Sequence, residues 1–118
     1  MGDLSQNFSR HEFECKCECG QDTVDAELVN LLEEIRYHFK ARITITSANR
    51  CEEYNAKVGG GKHSQHLLSK AADIVVQGKD PHAVADWLFK TYPGCYGVGK
   101  YDTFTHVDSR LGPARWGF

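Results

Sequence analysis

Three residues in the second half of the chain have the types and order of a metal site: His66, Asp73 and His106. Asp73 lies in the apolar run 71–76, where burying a bare carboxylate is costly unless it is paired, hydrogen-bonded or bound to a metal. Two imidazoles and one carboxylate, with a fourth position left open, are a common way to hold a catalytic zinc ion. In the alternative interpretation, both histidines are ordinary surface or core residues and Asp73 caps a backbone turn.

The most regular pattern outside this triad predicts a helix that ends near Lys40. Apolar residues recur there at intervals of three or four positions, which is typical of one buried helical stripe. Asp22 or Thr23 is placed to cap this helix, with Asp25 and Glu27 in its first turn, where the helix dipole favours negative charge. The stripe consists of Val24, Leu28, Leu31, Ile35 and Phe39.

Four short segments have the composition of β-strands, and two of them carry members of the triad. Residues 42–46 alternate and are rich in β-branched side chains. The other three segments are 71–76, 96–101 and 103–108, and the last two could pair as a hairpin. Asp80 before Pro81 predicts the start of a second helix. The order of elements predicts an α+β domain with helices packed on a small, mostly antiparallel sheet.

Length and charge narrow the possible classes of protein. With 118 residues and a net charge of −2, we expect a single domain spanning 1–118 that binds neither nucleic acid nor membranes. No apolar run is long enough to span a bilayer, and the first residues do not resemble a signal peptide. We expect a monomer that is cytoplasmic at synthesis.

Several motifs together resemble one family. The string Ser64-x-His66-x-x-Ser69-x-Ala71-x-Asp73, followed by His106-x-Asp108, resembles the S-x-H-x-x-G-x-A-x-D pattern and distant histidine of the zinc D-Ala-D-Ala carboxypeptidases, peptidase family M15, in its phage-type branch. Further similar segments are 7–13, 46–51, 104–108 and 115–116. The resemblance therefore extends over nearly the whole chain.

The resemblance implies a Hedgehog/DD-peptidase-like fold and a role for each matching residue. His66, Asp73 and His106 would be the zinc ligands. Arg50 would bind the terminal carboxylate of the substrate, for which a planar guanidinium is well shaped. The alternative for Arg50 is a surface salt bridge.

The implied activity is hydrolysis of peptidoglycan stem peptides next to D-amino acids, by a carboxypeptidase or an endopeptidase that uses a zinc-activated water. Such an enzyme would act on the cell wall after release or export. The alternative is an inactive zinc-binding module of the same fold that binds a cell-wall peptide or a protein partner.

The chain departs from the family pattern in ways that leave the general base open. Ser69 replaces the usual glycine, and Thr103 and Phe104 stand where related branches carry an acidic residue or a histidine. Asp108 is the first candidate for the base, because it would share a strand face with His106, about 7 Å away. Asp108 could equally orient His106. His63, near a run of glycines, is the second candidate.

The cysteines form a separate pattern. Cys15, Cys17 and Cys19 alternate, so in an extended segment their thiols would point the same way, and Cys51 could complete a structural metal site. Disulfides, for example one that involves Cys51 or Cys95, and free thiols are the alternatives.

Overall fold

The computed structural model describes residues 4–13, 15, 24–48, 57 and 70–118. These residues form a 3-10 turn, two α-helices and a five-stranded sheet, which confirms the predicted α+β class. In chain order the elements are the turn Arg10–Phe13, α1 Ala26–Phe39, β1 Ile43–Ser47, β2 Ala71–Val76, α2 Pro81–Thr91, β3 Gly97–Lys100, β4 Thr105–Asp108 and β5 Ala114–Trp116. Among the described residues, no helix has the length and apolar character needed to cross a membrane.

The sheet has the strand order β1-β2-β4-β3-β5. Its first three pairings are antiparallel and the last, between β3 and β5, is parallel. The prediction of a mostly antiparallel sheet, with β3 and β4 paired, is therefore confirmed. Strand β5 was not predicted, because three residues are too few to show a period of two.

The two helices differ in how well their starts were predicted. Asp80 caps α2 as expected: its side chain accepts a hydrogen bond from the His82 N–H at 2.9 Å, and Pro81 follows. For α1 the predicted end near Lys40 is confirmed, but the predicted start is wrong, because Asp25 is the capping residue rather than part of the first turn. The Asp25 side chain makes no cap hydrogen bond and instead accepts one from the Ser109 hydroxyl at 2.6 Å. Asp22 and Thr23 lie outside the described residues.

One face of the sheet packs on the helices and forms the apolar core. The core includes Leu28, Leu32 and Ile35 of α1, Val84 and Leu88 of α2, and Ala72, Ile74, Val98 and Val107 of the sheet. Because side chains alternate along a strand, the neighbours of these sheet residues point to the opposite face. That second face, called the site face below, carries Asp73, His106 and Asp108.

Candidate functional site

A row of directly opposed residues crosses four strands on the site face. Asp73 in β2 is paired with His106 in β4. His106 is paired in turn with Gly99 in β3, and Gly99 with Trp116 in β5. Directly opposed residues project their side chains from the same face of a sheet. The fold thus places two of the predicted metal ligands side by side, although 33 positions separate them in the chain.

Asp73 and His106 lie at a distance suited to holding one ion. His106 Nδ1 is 3.0 Å from Asp73 Oδ1, and the two residues are only 8% and 7% exposed. Zinc binds nitrogen and oxygen ligands at about 2.0–2.2 Å. Two donor atoms 3.0 Å apart can therefore contact the same ion from neighbouring coordination positions. The pair fits two of the three predicted ligands.

The second nitrogen of His106 is held by Asp108. His106 Nε2 lies 2.8 Å from Asp108 Oδ2, and Asp108 is fully buried. An ionised carboxylate only accepts hydrogen bonds, so Nε2 must be the donor. In the neutral imidazole this leaves the lone pair on Nδ1, the atom that faces Asp73.

Asp108 also accepts hydrogen bonds from a backbone N–H of β3 and from the side chain of Arg110. The Gly97 N–H donates to Oδ1 at 3.0 Å, and the Arg110 guanidinium donates from Nε to Oδ1 and from Nη2 to Oδ2, both at 2.7 Å. Paired donors of this kind fix both the position and the orientation of a carboxylate.

The charges of this cluster support one another. Burial acts against an ionised Asp108, but the hydrogen bonds and charges of His106 and Arg110 outweigh it and hold the pKa of Asp108 well below its usual range. Burial likewise acts against a charged His106, yet the hydrogen bonds to Asp108 and Asp73 raise the pKa of His106 above its ordinary value. Asp108 is therefore a carboxylate at neutral pH.

These contacts favour one of the two roles predicted for Asp108. A general base must reach the proton that it removes. Both oxygens of Asp108 already accept hydrogen bonds from protein donors, and the side chain has no exposed surface. The arrangement is that of a carboxylate that orients a histidine, as found behind many metal-bound imidazoles.

The comparison with known families agrees with this geometry. A model of the family described as Peptidase M15 matches residues 6–108, most of the chain. The chain belongs to the peptidase M15 family. The matched range includes Asp73, His106 and Asp108, and membership makes the chain a hydrolase of the metallopeptidase kind. A search of curated proteins finds no match.

Three of the site residues predicted for this M15 peptidase, His66, His63 and Arg50, lie outside the described residues. Their roles stay predictions. Within ranges 4–13, 24–48 and 70–118, no group of three or more His, Cys, Asp or Glu side chains is arranged to hold a metal ion. The family pattern puts the third predicted ligand, His66, in the remainder of the chain.

Sequence reasoning missed the residues that surround Asp108 and His106. Arg110 received no role, and neither did the glycines of β3. A Cβ at Gly97 would overlap the Asp108 carboxylate, and one at Gly99 would overlap the Trp116 indole. A signal was present: the Gly-x-Gly of β3 has the same period of two as His106-x-Asp108, so both pairs lie on one face once the strands are paired.

The cysteine predictions are only partly covered by the described residues. Cys15 is buried beside the core residues, and Cys95 has a free thiol and is partly buried. A disulfide at Cys95 is therefore not formed in this structure. Cys17, Cys19 and Cys51 lie outside the described residues, and a structural metal there stays a prediction.

Proposed function

We propose that this M15 protein is a zinc peptidase that hydrolyses peptidoglycan stem peptides next to D-amino acids. Zinc would be held by His66, Asp73 and His106. The observation that supports this best is the direct pairing of Asp73 with His106, with Nδ1 and Oδ1 3.0 Å apart at one point of the site face. These are the residues that the family motif requires, and two separate strands bring them together.

Asp108 acts in this proposal as a positioning residue. It accepts the Nε2–H of His106, so that Nδ1, the nitrogen that faces Asp73, is the one left to bind the ion. Arg110 and the Gly97 N–H keep the carboxylate ionised and in place. The imidazole is thus oriented before any metal arrives, which lowers the entropic cost of binding it.

Bound zinc would supply a Lewis acid and a water of lowered pKa. Arg50 would hold the carboxylate of the substrate, because a guanidinium can donate two parallel hydrogen bonds to it. Since Asp108 is fully engaged, His63 is the remaining candidate to take the proton from the attacking water and return it to the leaving amine.

The test is zinc content and hydrolysis measured on the same samples. We expect about one zinc per chain in the wild type, and loss of both zinc and hydrolysis in His66→Ala and Asp73→Asn. Asp86→Asn is the matched control, because Asp86 pairs with Lys100 on the helix side of the sheet. Zinc retained in both site variants would place the metal elsewhere, for example at the cysteines.

A second candidate is a zinc-binding module of the same fold without hydrolytic activity. It is favoured by Thr103 and Phe104 at the positions where related branches carry a base, and by the buried, engaged state of Asp108. Zinc binding without cleavage of several peptidoglycan substrates would support this module. His63→Ala separates the two: it abolishes cleavage in the peptidase and leaves peptide binding by the module unchanged.

A further inference from the structure

Trp116 reaches the imidazole of His106 across an intervening strand. The two residues are not neighbours in the sheet, because Gly99 of β3 lies between them. Gly99 has no side chain, and the indole occupies the space above it. The indole and imidazole centroids are therefore only 4.9 Å apart, with their planes inclined at 48°.

Contacts on several sides fix the indole in this position. Its Nε1–H donates to the Tyr101 hydroxyl at 2.8 Å. The Arg110 guanidinium lies over the ring, 5.6 Å from its centroid, while also holding Asp108. Trp116 nevertheless remains partly exposed. A rigid, partly exposed aromatic surface thus lies beside the proposed metal ligand.

We propose that Trp116 is a substrate-contacting residue, against which the apolar side chain of the amino acid next to the scissile bond packs. This inference rests on the proposed function, since it takes the reaction to occur at His106. Residue 116 lies beyond the range 6–108 that the family model matches, and the resemblance of segment 115–116 to the family assigns its side chain no role.

The position of the indole indicates which part of a substrate it would meet. One residue of extended peptide spans about 3.3–3.6 Å, so a group that touches Trp116 lies within one or two residues of the bond cleaved at His106. That distance fits a side chain of the stem peptide better than a sugar of the glycan strand. An indole offers apolar area with little loss of conformational entropy, which suits a small aliphatic group such as the methyl of D-alanine.

The first test varies the enzyme and the substrate together. Peptides with D-alanine or glycine next to the scissile bond are compared by kcat/KM in the wild type and in Trp116→Ala. If the indole contacts the methyl group, its loss lowers the preference for D-alanine by about fourfold, the value of one buried methyl group. Trp116→Phe keeps an aromatic ring and retains most of the preference. Tyr37→Ala, which removes a ring that is 84% exposed on α1, is the control for general effects.

An unchanged preference in Trp116→Ala with normal zinc content would overturn the inference and leave the proposed function intact. A wild type that neither binds zinc nor cleaves would instead overturn the proposed function. If Trp116→Ala does not fold, Trp116→Phe and Tyr101→Phe provide the comparison. Tyr101→Phe removes only the hydrogen bond that anchors the indole, so we expect a smaller loss of preference.

A binding measurement without metal keeps the two proposals separable. The chain has two tryptophans, so Trp87→Phe leaves Trp116 as the only one that emits. We expect a saturable change in its fluorescence when metal-free protein is titrated with a peptide ending in D-Ala-D-Ala. A change with N-acetylglucosamine oligomers but not with the peptide would assign the surface to the glycan strand and overturn the inference, as would no change with either.

Discussion

The two faces of the sheet are stabilised by different interactions. On the helix face, Val98 and Val107 belong to the apolar core, where each contributes about 1.5–3 kcal/mol through removal of apolar surface from water. This hydrophobic stabilisation depends little on how the side chains are oriented. On the site face, Asp108 is held by charge-assisted hydrogen bonds whose strength depends on angle and distance. The first face stabilises the fold, and the second determines where one imidazole points.

Two arginines show the same difference between the site face and the helix face. Arg110 donates to both oxygens of a buried carboxylate, and those hydrogen bonds raise its pKa. Arg115 instead donates to the backbone carbonyls of Tyr92, which caps α2, and of Cys95, in the turn that follows, and burial lowers its pKa. One guanidinium organises charges around the site, and the other joins β5 to a helix.

The largest effect is expected from a truncation on the helix face. Leu32→Ala should lower the free energy of unfolding by about 2–5 kcal/mol, because Leu32 is fully buried and leaves a cavity. Folded protein should keep its zinc content. Chemical denaturation and elemental analysis provide the measurements, with the exposed Tyr37→Ala as control. A loss of zinc without a loss of stability would contradict the division of roles between the faces.

On the site face, Asp108→Asn should act mainly on the metal. Asparagine has a similar shape, but one of the two carboxylate oxygens is replaced by an NH2 group. That group cannot accept the hydrogen bonds that Asp108 receives in the wild type, so His106 loses its orientation. We expect zinc affinity to fall by about 10–100-fold, measured by competition with a chelator. Asp86→Asn should leave the affinity unchanged. Equal affinities in both variants would mean that Asp108 does not orient the ligand.

Gly97→Ala tests how closely β3 approaches Asp108. The added methyl group would overlap the carboxylate, so we expect a loss of about 1–3 kcal/mol in stability together with weaker zinc binding. Gly94→Ala is the matched control, since a Cβ there has nothing within 4 Å. Its effect should stay within about 0.5 kcal/mol. Similar losses in both variants would show that the crowding at Gly97 is unimportant.

The smallest effect concerns a carboxylate on the helix side. Burial disfavours ionised Glu33, but hydrogen bonds from Asn7 and Ser5 and the charge of Arg36 outweigh it and lower the pKa of Glu33. Its stabilising contribution is therefore complete above the unfolded-state pKa of about 4.3 and is lost as pH falls through the lower folded-state value.

Because Glu33 is only partly buried, we expect less than about 1 kcal/mol from this group. Urea denaturation between pH 6 and pH 2.5 should show the stability difference between wild type and Glu33→Gln shrinking toward acid pH. A difference that stays constant over this range would exclude a role for ionised Glu33.

Features coded locally in the chain could be predicted. The cap of α2 depends on Asp80 and its neighbours, and the bounds of β2 follow from an apolar run interrupted only by Asp73. The common face of His106 and Asp108 follows from a period of two. Each of these depends on residues within a few positions of one another.

Features that depend on strand pairing could not be predicted. The pairing of Asp73 with His106 is a matter of register between distant strands. The Arg110 contacts depend on which rotamer a long side chain adopts. The period of two in the β3 glycines becomes informative only once the pairing of β3 with β4 is known. The predicted start of α1 was wrong because the Asp25 side chain accepts a hydrogen bond from Ser109, which is distant in the chain.

The glycines of β3 also provide a search pattern. Neither Gly97 nor Gly99 is proposed to touch substrate, yet a larger residue at either position would displace Asp108 or Trp116. A chain with this arrangement is thus expected to show Gly-x-Gly nine residues ahead of His-x-Asp. Where other M15 sequences carry larger residues at those two positions, the histidine must be oriented by different partners, and a sequence alignment alone could sort family members into these two architectures.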